Sequence, residues 1–298
     1  GKPDGSNSLT ESTYRTDQWK TENTLTYDNT FGKHTVGALF STTADHFNVR
    51  GFELNGKTFA DESDYLQYIA YAGSVSGKDY LTGPDANVSL IGRLAYSFDD
   101  RYFLTASWRR DYAGRLPKNK NHGDFPAVTA GWKISNEAFF PKTDVVSLLK
   151  LRASWGRVGN LGSIGYNYRS AVLSKDSWQE QAQYGVEKNL LWDTFIYNSI
   201  ALNNKLTWET SEQFDLGVDL NMFNDRLAMQ FDWFEKRTFD LIQTQSMNWP
   251  GSIGLDPMLI NQGEVRNRGI ELSLNWNDRI NKDWSYYVSG NFAWLKNW

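Results

Sequence analysis

The residue types that usually do chemistry occur in this sequence without the spacing that such chemistry needs. The three histidines, His34, His46 and His122, show no metal-ligand spacing. Residues 73–78 resemble a phosphate-binding loop, but the segment is one residue too short and no Ser or Thr follows its lysine. We therefore expect neither a metal centre nor a nucleotide site in these segments.

Motifs for covalent or acid–base catalysis are also missing. There is no Gly-x-Ser-x-Gly elbow, and the lack of cysteine excludes Cys nucleophiles, thiolate metal sites and disulfide bonds. The adjacent acids Asp99 and Asp100 fall at a turn, where such residues usually set backbone geometry. Residues 159–165 are rich in glycine, but their spacing does not match a dinucleotide-binding motif. The sequence thus predicts a protein that is not an enzyme and that carries no cofactor or metal.

Flat aromatic side chains remain as candidates for ligand binding. Sugars and peptides are commonly held by aromatic rings combined with hydrogen-bonding groups. The long polar segments of the chain contain Trp178, Trp192 and Trp249, which we predict to be substrate-binding residues. The alternative stays open that these rings only pack one loop against another or against a partner protein.

The elements that would position those segments are β-strands, because apolar residues recur at every second position. The clearest example is a hairpin around Asn224-Asp225, whose arms place Phe214, Leu216, Val218 and Leu220 against Leu227, Met229, Phe231 and Trp233. Similar alternation along the chain predicts ten strands with one apolar and one polar face. The charged residues predicted on the polar face are Arg93, Lys133, Arg152, Asp215, Asp219, Asp232 and Glu271.

The predicted connections between strands alternate between short and long, with a medium loop at 113–125 and the connection at 136–148 as the only exception to the pattern. Short ones lie near 30–33, 99–101, 224–225 and 278–283, and long ones cover 48–87, 158–206 and 243–263. Membrane barrels place tight turns at one rim and long loops at the other. The residues beside the short turns include a set of aromatic side chains, as in the girdle of a membrane barrel: Phe31, Phe98, Tyr102, Phe223, Trp276 and Trp284.

One stretch inside the segment 48–87 breaks the strand pattern. Acidic residues and Ser63 precede apolar residues that are spaced three and four apart, from Tyr65 to Ala72. This pattern predicts a short helix that decorates a loop.

Composition agrees with a two-faced sheet. The 298 residues include 13 Trp, 15 Tyr and 17 Phe, yet the mean hydropathy is −0.58 and no run of about 20 apolar residues could form a membrane helix. The net charge of −4 gives no basic footprint for nucleic acid. Because the chain starts without Met and stops inside a predicted strand, we expect a piece of a longer protein.

Three consecutive blocks and one later stretch carry a family resemblance. Residues 93–111 form a strand pair that ends in Arg-Arg-Asp, and residues 124–137 contain Phe-Pro-x-x-x-x-Gly-Trp-Lys-Ile-Ser. Residues 149–160 then read Leu-Lys-Leu-Arg-Ala-Ser-Trp-Gly-Arg-Val-Gly-Asn, and residues 267–271 read Asn-Arg-Gly-Ile-Glu. This series resembles the barrel of the SusC/RagA-type TonB-dependent outer-membrane transporters of Bacteroidetes. One departure is the loop at 112–116, Tyr-Ala-Gly-Arg-Leu, where the family usually has a Gly-Ser-Ser-Arg-Phe-like sequence.

The resemblance implies an all-β fold, a transmembrane antiparallel β-barrel with long extracellular loops. The ten predicted strands would be about half of a 22-strand barrel, and residues 1–298 would all belong to the barrel domain, with the plug and the other strands outside this sequence. The implied function is active import of glycan or peptide fragments across the bacterial outer membrane. The implied partners are TonB, acting through N-terminal parts not included here, a SusD-like surface lipoprotein, and outer-membrane lipid.

Three alternatives stay open from the sequence. The chain could be part of a siderophore receptor or of a passive porin-type barrel, which would share the alternating strands. A soluble carbohydrate-binding β-sheet domain would also share them, although a ten-stranded open sheet is uncommon in soluble domains.

Overall fold

A computed structural model describes residues 7–59, 68–141, 143, 145–162, 164, 203–245 and 258–298, and the backbone alone at 80–84, 182–184 and 191–195. Ten strands in chain order form one sheet: β1 (Ser8–Phe31), β2 (His34–Phe59), β3 (Ala72–Phe98), β4 (Tyr102–Ala113), β5 (His122–Lys133), β6 (Val146–Asn160), β9 (Glu209–Met222), β10 (Leu227–Phe239), β13 (Glu264–Arg279) and β14 (Ser285–Asn297). Two separate two-stranded sheets are β7 (Ala182–Tyr184) with β8 (Leu191–Phe195) and β11 (Ile242–Thr244) with β12 (Leu259–Asn261). The predicted ten-stranded, all-β architecture is therefore confirmed.

The chain divides into two compact units. The smaller unit comprises Gly1–Thr21, Ala44–Asn87 and Gly165–Asn198. Within it, the Asn7 side chain donates to the Phe59 carbonyl at 3.1 Å and accepts from the Phe59 N–H at 2.9 Å, and Asn55 donates to the Thr10 hydroxyl at 2.8 Å. The larger unit comprises Glu22–Thr43, Val88–Ile164 and Ser199–Trp298, and the sites described below lie in it.

The strand register gives the larger unit two unlike faces. Successive side chains of a strand point to opposite faces, so each row of paired residues belongs to one face. One row across β5, β6, β9, β10, β13 and β14 is apolar and consists of Trp132, Leu151, Val218, Phe231, Leu272 and Phe292. The neighbouring row on the other face consists of Gly131, Arg152, Gly217, Asp232, Glu271 and Ala293. The predicted alternation is thus confirmed residue by residue in these strands.

Much of the apolar face is exposed. Leu94 is 63% exposed, Leu104 49% and Val288 61%, whereas the buried apolar residues among those described are few. Soluble monomers rarely leave a contiguous apolar surface of this kind uncovered. Among the described residues, no helix is long and apolar enough to cross a bilayer.

Two short turns use non-glycine residues with positive φ. Asp99 and Asp100 both have φ 52°, and Phe223, Asn224 and Asp225 have φ between 56° and 62°. Asn and Asp tolerate this left-handed region, and its twist matches the twist of the flanking strands. The short connections predicted at 99–101 and 224–225 are therefore confirmed, while Phe223 adopts a conformation that its residue type did not suggest.

The predicted long loop at 48–87 is wrong in its extent. Strand β2 continues to Phe59 and β3 begins at Ala72, so most of this segment is strand. The predicted helix is tested only at its C-terminal end, where Ile69–Tyr71 form a single 3₁₀ turn and Ala72 is already in β3; the rest of it, including Tyr65, lies outside the described residues. A strand with polar residues on both faces gives no period-two signal, which explains why the pattern missed it.

Candidate functional site

The centre of the polar face is a cluster of ion pairs around Arg152. Its Nε donates to both carboxylate oxygens of Asp219 at 2.9 Å, and its Nη2 donates to Asp232 at 2.9 and 3.2 Å. Gly217 lies on β9, between Arg152 on β6 and Asp232 on β10, and a Cβ at this position would clash with Asp232 Oδ1 and lie 2.7 Å from Arg152 Nη2. The missing side chain therefore leaves the space in which one guanidinium joins β6, β9 and β10.

The polar groups nearby are also paired. Ser154 donates to Asp215 at 2.8 Å and Gln213 donates to the same carboxylate at 2.7 Å. Lys150 Nζ lies 5.0 Å from the centroid of the Phe103 ring. This surface offers charged and hydrogen-bonding groups held in place by their neighbours, which is the chemistry of recognition.

Aromatic rings gather at the end of the apolar face that carries the short turns. Phe98 stacks on Tyr102 and Tyr102 stacks on Trp132, each with ring centroids 6.4 Å apart. On the hairpin further along, Phe223 and Trp276 lie 6.1 Å apart. The predicted clustering of aromatic residues beside the short turns is confirmed for these residues, and it matches the interfacial girdle of a membrane barrel.

At the same end of the sheet, Glu137 is the centre of an ionic cluster. We call it the rim cluster and define it by Glu137, Lys33, Asp99, Arg101 and Trp132. Arg101 donates to Glu137 at 3.0 Å and also pairs with Asp99, and Trp132 Nε1 donates to Glu137 at 2.9 Å. Lys33 donates to Asp99 at 2.9 Å. The cluster thus ties the β1–β2 and β3–β4 turns to the β5–β6 connection.

The acids of the rim cluster ionise more readily than usual. Hydrogen bonds from Tyr102, Trp132 and Arg101 lower the pKa of Glu137, and the hydrogen bond from Lys33 is the main cause of the lowered pKa of Asp99. The sequence argument missed Glu137 because it lies outside the strands, in the β5–β6 connection, where the alternating pattern gives no information. Its only signal was its place at the end of the second family-like block.

A second feature missed from the sequence lies at the opposite end of the polar face. The rings of Phe125 and Trp208 meet edge to face with centroids 5.4 Å apart. A Cβ on Gly159 would lie 2.1 Å from the Phe125 ring, and one on Gly123 would lie 2.5 Å from it. The lack of side chains at the two glycines therefore leaves the space that this aromatic pair occupies.

The predicted substrate-binding residues stay predictions. Trp178 and Trp249 lie outside the described residues, and Trp192 lies in β8, where only the backbone is described. The three histidines are spread apart, since His34 meets Tyr96, His46 stacks on Trp19 and His122 contacts Tyr112. Within the described part of the chain no group of three or more His, Asp or Glu residues is arranged to hold a metal ion.

Comparisons with known proteins agree with this geometry. Residues 2–298 match the family model described as "TonB dependent receptor-like, beta-barrel". The TonB-dependent receptor P3 of Formosa agariphila is 30% identical over 277 residues, covering 93% of this chain and 26% of the relative. The TonB-dependent receptor SusC of Bacteroides thetaiotaomicron is 30% identical over 274 residues, covering 91% of this chain and 26% of the relative.

A solved structure shows the same fold. The RagAB peptide importer in its "closed-closed" state matches with a TM-score of 0.76 and 25% identity, covering 97% of this chain and 31% of that chain. The chain spans about a quarter of the length of the curated relatives. SusC and the other TonB-dependent receptors it matches are outer-membrane β-barrel proteins. The chain belongs to the TonB-dependent receptor family, and its strands are part of that family's outer-membrane β-barrel.

Proposed function

We propose that residues 1–298 form part of the barrel wall of an importer of glycan or peptide fragments. The observation that carries the proposal is the two-faced sheet, with an exposed apolar face and an ion-paired polar face, in a chain similar to SusC and to the RagAB importer. The apolar face suits contact with lipid and the polar face suits the wall of an aqueous lumen. The plug and the remaining strands would lie in other parts of the protein.

The polar face supports a transport role over a catalytic one. Its charged groups around Arg152 are engaged in short ion pairs with Asp219 and Asp232, an arrangement that holds groups in place. We infer that the protein is not an enzyme and that energy for uptake comes from TonB, which acts on a part of the protein outside this chain.

The two ends of the sheet have different proposed surroundings. The turns at Asp99–Arg101 and Asn224-Asp225, with their aromatic girdle, would face the periplasm, because short turns lie on that side of membrane barrels. The long connections would face outward and lie under a SusD-like surface lipoprotein. There, at least one of Trp178, Trp192 and Trp249 would contact substrate or the lipoprotein.

Alanine substitution of the three tryptophans tests this proposal in the full-length protein. Trp178→Ala, Trp192→Ala and Trp249→Ala are compared with Trp284→Ala, a matched control at the short-turn end that is 69% exposed. Uptake of oligosaccharides and of oligopeptides and co-purification of the lipoprotein are measured at equal surface expression. We expect at least one of the three variants, and not the control, to lose uptake or co-purification.

Other outcomes would revise the proposal. If all three variants behave like the parent, the binding surface lies elsewhere. Uptake of a ferric siderophore in place of sugars or peptides would support the siderophore-receptor alternative, and uptake without TonB would support the porin-type alternative. The family assignment already decides against a soluble carbohydrate-binding domain.

A further inference from the structure

A belt of charged residues crosses the apolar face at the end away from the short turns. We call it the outer belt and define it by Arg157 on β6, Glu212 on β9, Glu235 and Arg237 on β10, Glu264, Arg266 and Arg268 on β13, and Lys296 on β14. The register pairs these residues in rows, Arg157 with Glu212 with Arg237 with Arg266, and Glu235 with Arg268 with Lys296. All belong to the same face as Val218 and Phe231, which is the lipid-facing side in our proposal.

The height of the outer belt fits the boundary of the membrane. Arg237 follows Leu227 by ten residues, and Arg266 precedes Trp276 by ten. Ten residues of a strand tilted as in membrane barrels rise about 25 Å, which is the height of the apolar band in such barrels. The outer belt therefore lies where the headgroups of the outer leaflet begin.

Aromatic rings lie beside two of the cations. The guanidinium of Arg157 lies 5.5 Å from the Trp155 ring centroid, and that of Arg268 lies 5.8 Å from Trp233 and 5.4 Å from Trp298. Tryptophan is enriched at the level of lipid headgroups.

The cations of the outer belt are only partly neutralised. Arg237 and Arg266 are directly opposite each other and both bond to the carboxylate of Glu264, while Glu212, opposite Arg237 on its other side, bonds to Arg157. Adjacent like charges are unfavourable without a counter-charge between them. The Nε–H of Arg237 is buried and has no hydrogen-bond partner within the described chain, so an external anion would meet the exposed end of this guanidinium. Lys296 lies over Trp298, 5.8 Å from its ring, without an ion pair among the described residues.

The surplus charge is positive. Within the described residues, five cations of the outer belt face its three carboxylates, and Asp240 just beyond β10 adds a fourth, more distant negative charge. The guanidinium side chains of Arg237, Arg266 and Arg268 are 42–47% exposed, so an external anion can reach them. Guanidinium groups bind phosphate with paired hydrogen bonds.

We propose that Arg237 and Arg266, with Arg268 and Lys296 beside them, bind the phosphate of a phosphorylated lipid headgroup in the outer leaflet. The inference rests on the proposed orientation, in which the long connections face outward. The lipid phosphate would supply a further anion for the Arg237–Arg266 pair, in a belt whose cations outnumber its carboxylates, while the acyl chains lie along the apolar face below.

Lipid binding by the full-length transporter tests this inference. The purified protein is titrated with diphosphoryl lipid A and with its dephosphorylated form, and bound lipid is counted by native mass spectrometry. Loss of one charge-assisted hydrogen-bonding group weakens binding about tenfold. We therefore expect Arg237→Gln and Arg266→Gln each to weaken binding of the diphosphoryl form about tenfold and to leave binding of the dephosphorylated form unchanged.

Arg109→Gln is the matched control. Arg109 is 52% exposed and paired with Asp111 like the belt arginines, but it bonds to buried Ser89 on the polar face. Heat-modifiable migration on gels shows whether each variant is folded. If a Gln variant fails to fold, Arg237→Lys replaces it, and we expect that variant to bind more weakly than the parent because its ammonium lacks the guanidinium fork.

Several results would overturn the inference. These are equal affinity in the belt variants and the Arg109→Gln control, equal binding of the dephosphorylated lipid, or full displacement of the lipid by inorganic phosphate at equal concentration. Loss of lipoprotein co-purification with unchanged lipid binding would assign the outer belt to the protein partner instead. Substrate uptake is measured on the same variants, so that failure of the lipid site and failure of the import proposal are distinguished.

Discussion

Replacing Val218 by arginine is the most direct test of which face meets lipid. Val218 lies four residues before Met222, and four residues of a tilted strand rise about 10 Å, close to the middle of an apolar band about 25 Å tall. Its cross-strand neighbours are Leu151 and Phe231, so no carboxylate lies directly beside it in the ladder. An arginine at this depth should reduce the free energy of unfolding by about 2–4 kcal/mol.

The matched control is Gln230→Arg. Gln230 lies on the polar face directly opposite Asp219, so the new guanidinium would meet water and an acid, and we expect a loss below about 1 kcal/mol. Both variants are made in the full-length protein and folded reversibly into lipid vesicles across a denaturant titration. The expected loss for Val218→Arg corresponds to about a 30- to 700-fold change in the folding equilibrium. Equal loss in the two variants, or a larger loss for Gln230→Arg, would refute the assignment of the faces.

Three further predictions concern the ends and the centre of the sheet. In a full-length protein whose other cysteines are removed, a cysteine in place of Lys118 should react with an impermeant reagent on intact cells, and one in place of Asn224 should not; the reverse would invert the orientation. Arg152→Gln should lower the free energy of unfolding by about 1–2 kcal/mol in vesicle folding titrations, because Asp219 and Asp232 then lose their shared cation. Adding Asp232→Asn to the same chain should recover part of that loss. The lowered pKa of Glu137 means that its contribution to stability is present above its ordinary pKa of 4.5 and is lost as the pH falls through the folded value. Between about pH 6 and about pH 3.5 the parent should therefore lose more stability than Glu137→Gln. Parallel losses in the two proteins would show that Glu137 is not part of this effect.

The strands were predictable where their two faces differ. In β9 and β10 the alternation of Leu216, Val218 and Leu220 with Asp215 and Asp219 follows directly from contact with two different environments. The same reasoning failed in β2 beyond Asn48 and in β3 before Asn87, where polar residues occur on both faces and apolar residues such as Leu54 and Phe59 do not alternate with them. The small sheets β7–β8 and β11–β12 also lack a periodic pattern long enough to detect.

The candidate sites were predictable only in part. Polar-face residues such as Arg152 and Asp232 were assigned to the correct face, but pairing between β6 and β10 depends on the order of strands in space. Glu137 and Phe125 were missed because Arg101 and Trp208, which contact them, are distant in the sequence and become neighbours only in the folded sheet. The outer belt was missed for a related reason, since charged residues at strand ends are ordinary in the sequence and significant only as aligned rows.

The Arg152 cluster also has a consequence for how the sheet selects its register during assembly. The turn after Met222 leaves four residues before Leu227, whereas about 48 residues separate Asn160 from its partner Glu209. Closing the longer loop costs about 2 kcal/mol more in chain entropy, and no tight turn dictates where β9 must align on β6. A slip of one residue would turn Asp219 to the apolar face and leave Arg152 without its carboxylate. The ion pairs therefore disfavour misaligned pairing of β6 with β9, the neighbouring strands of the sheet that are joined by the longest connection.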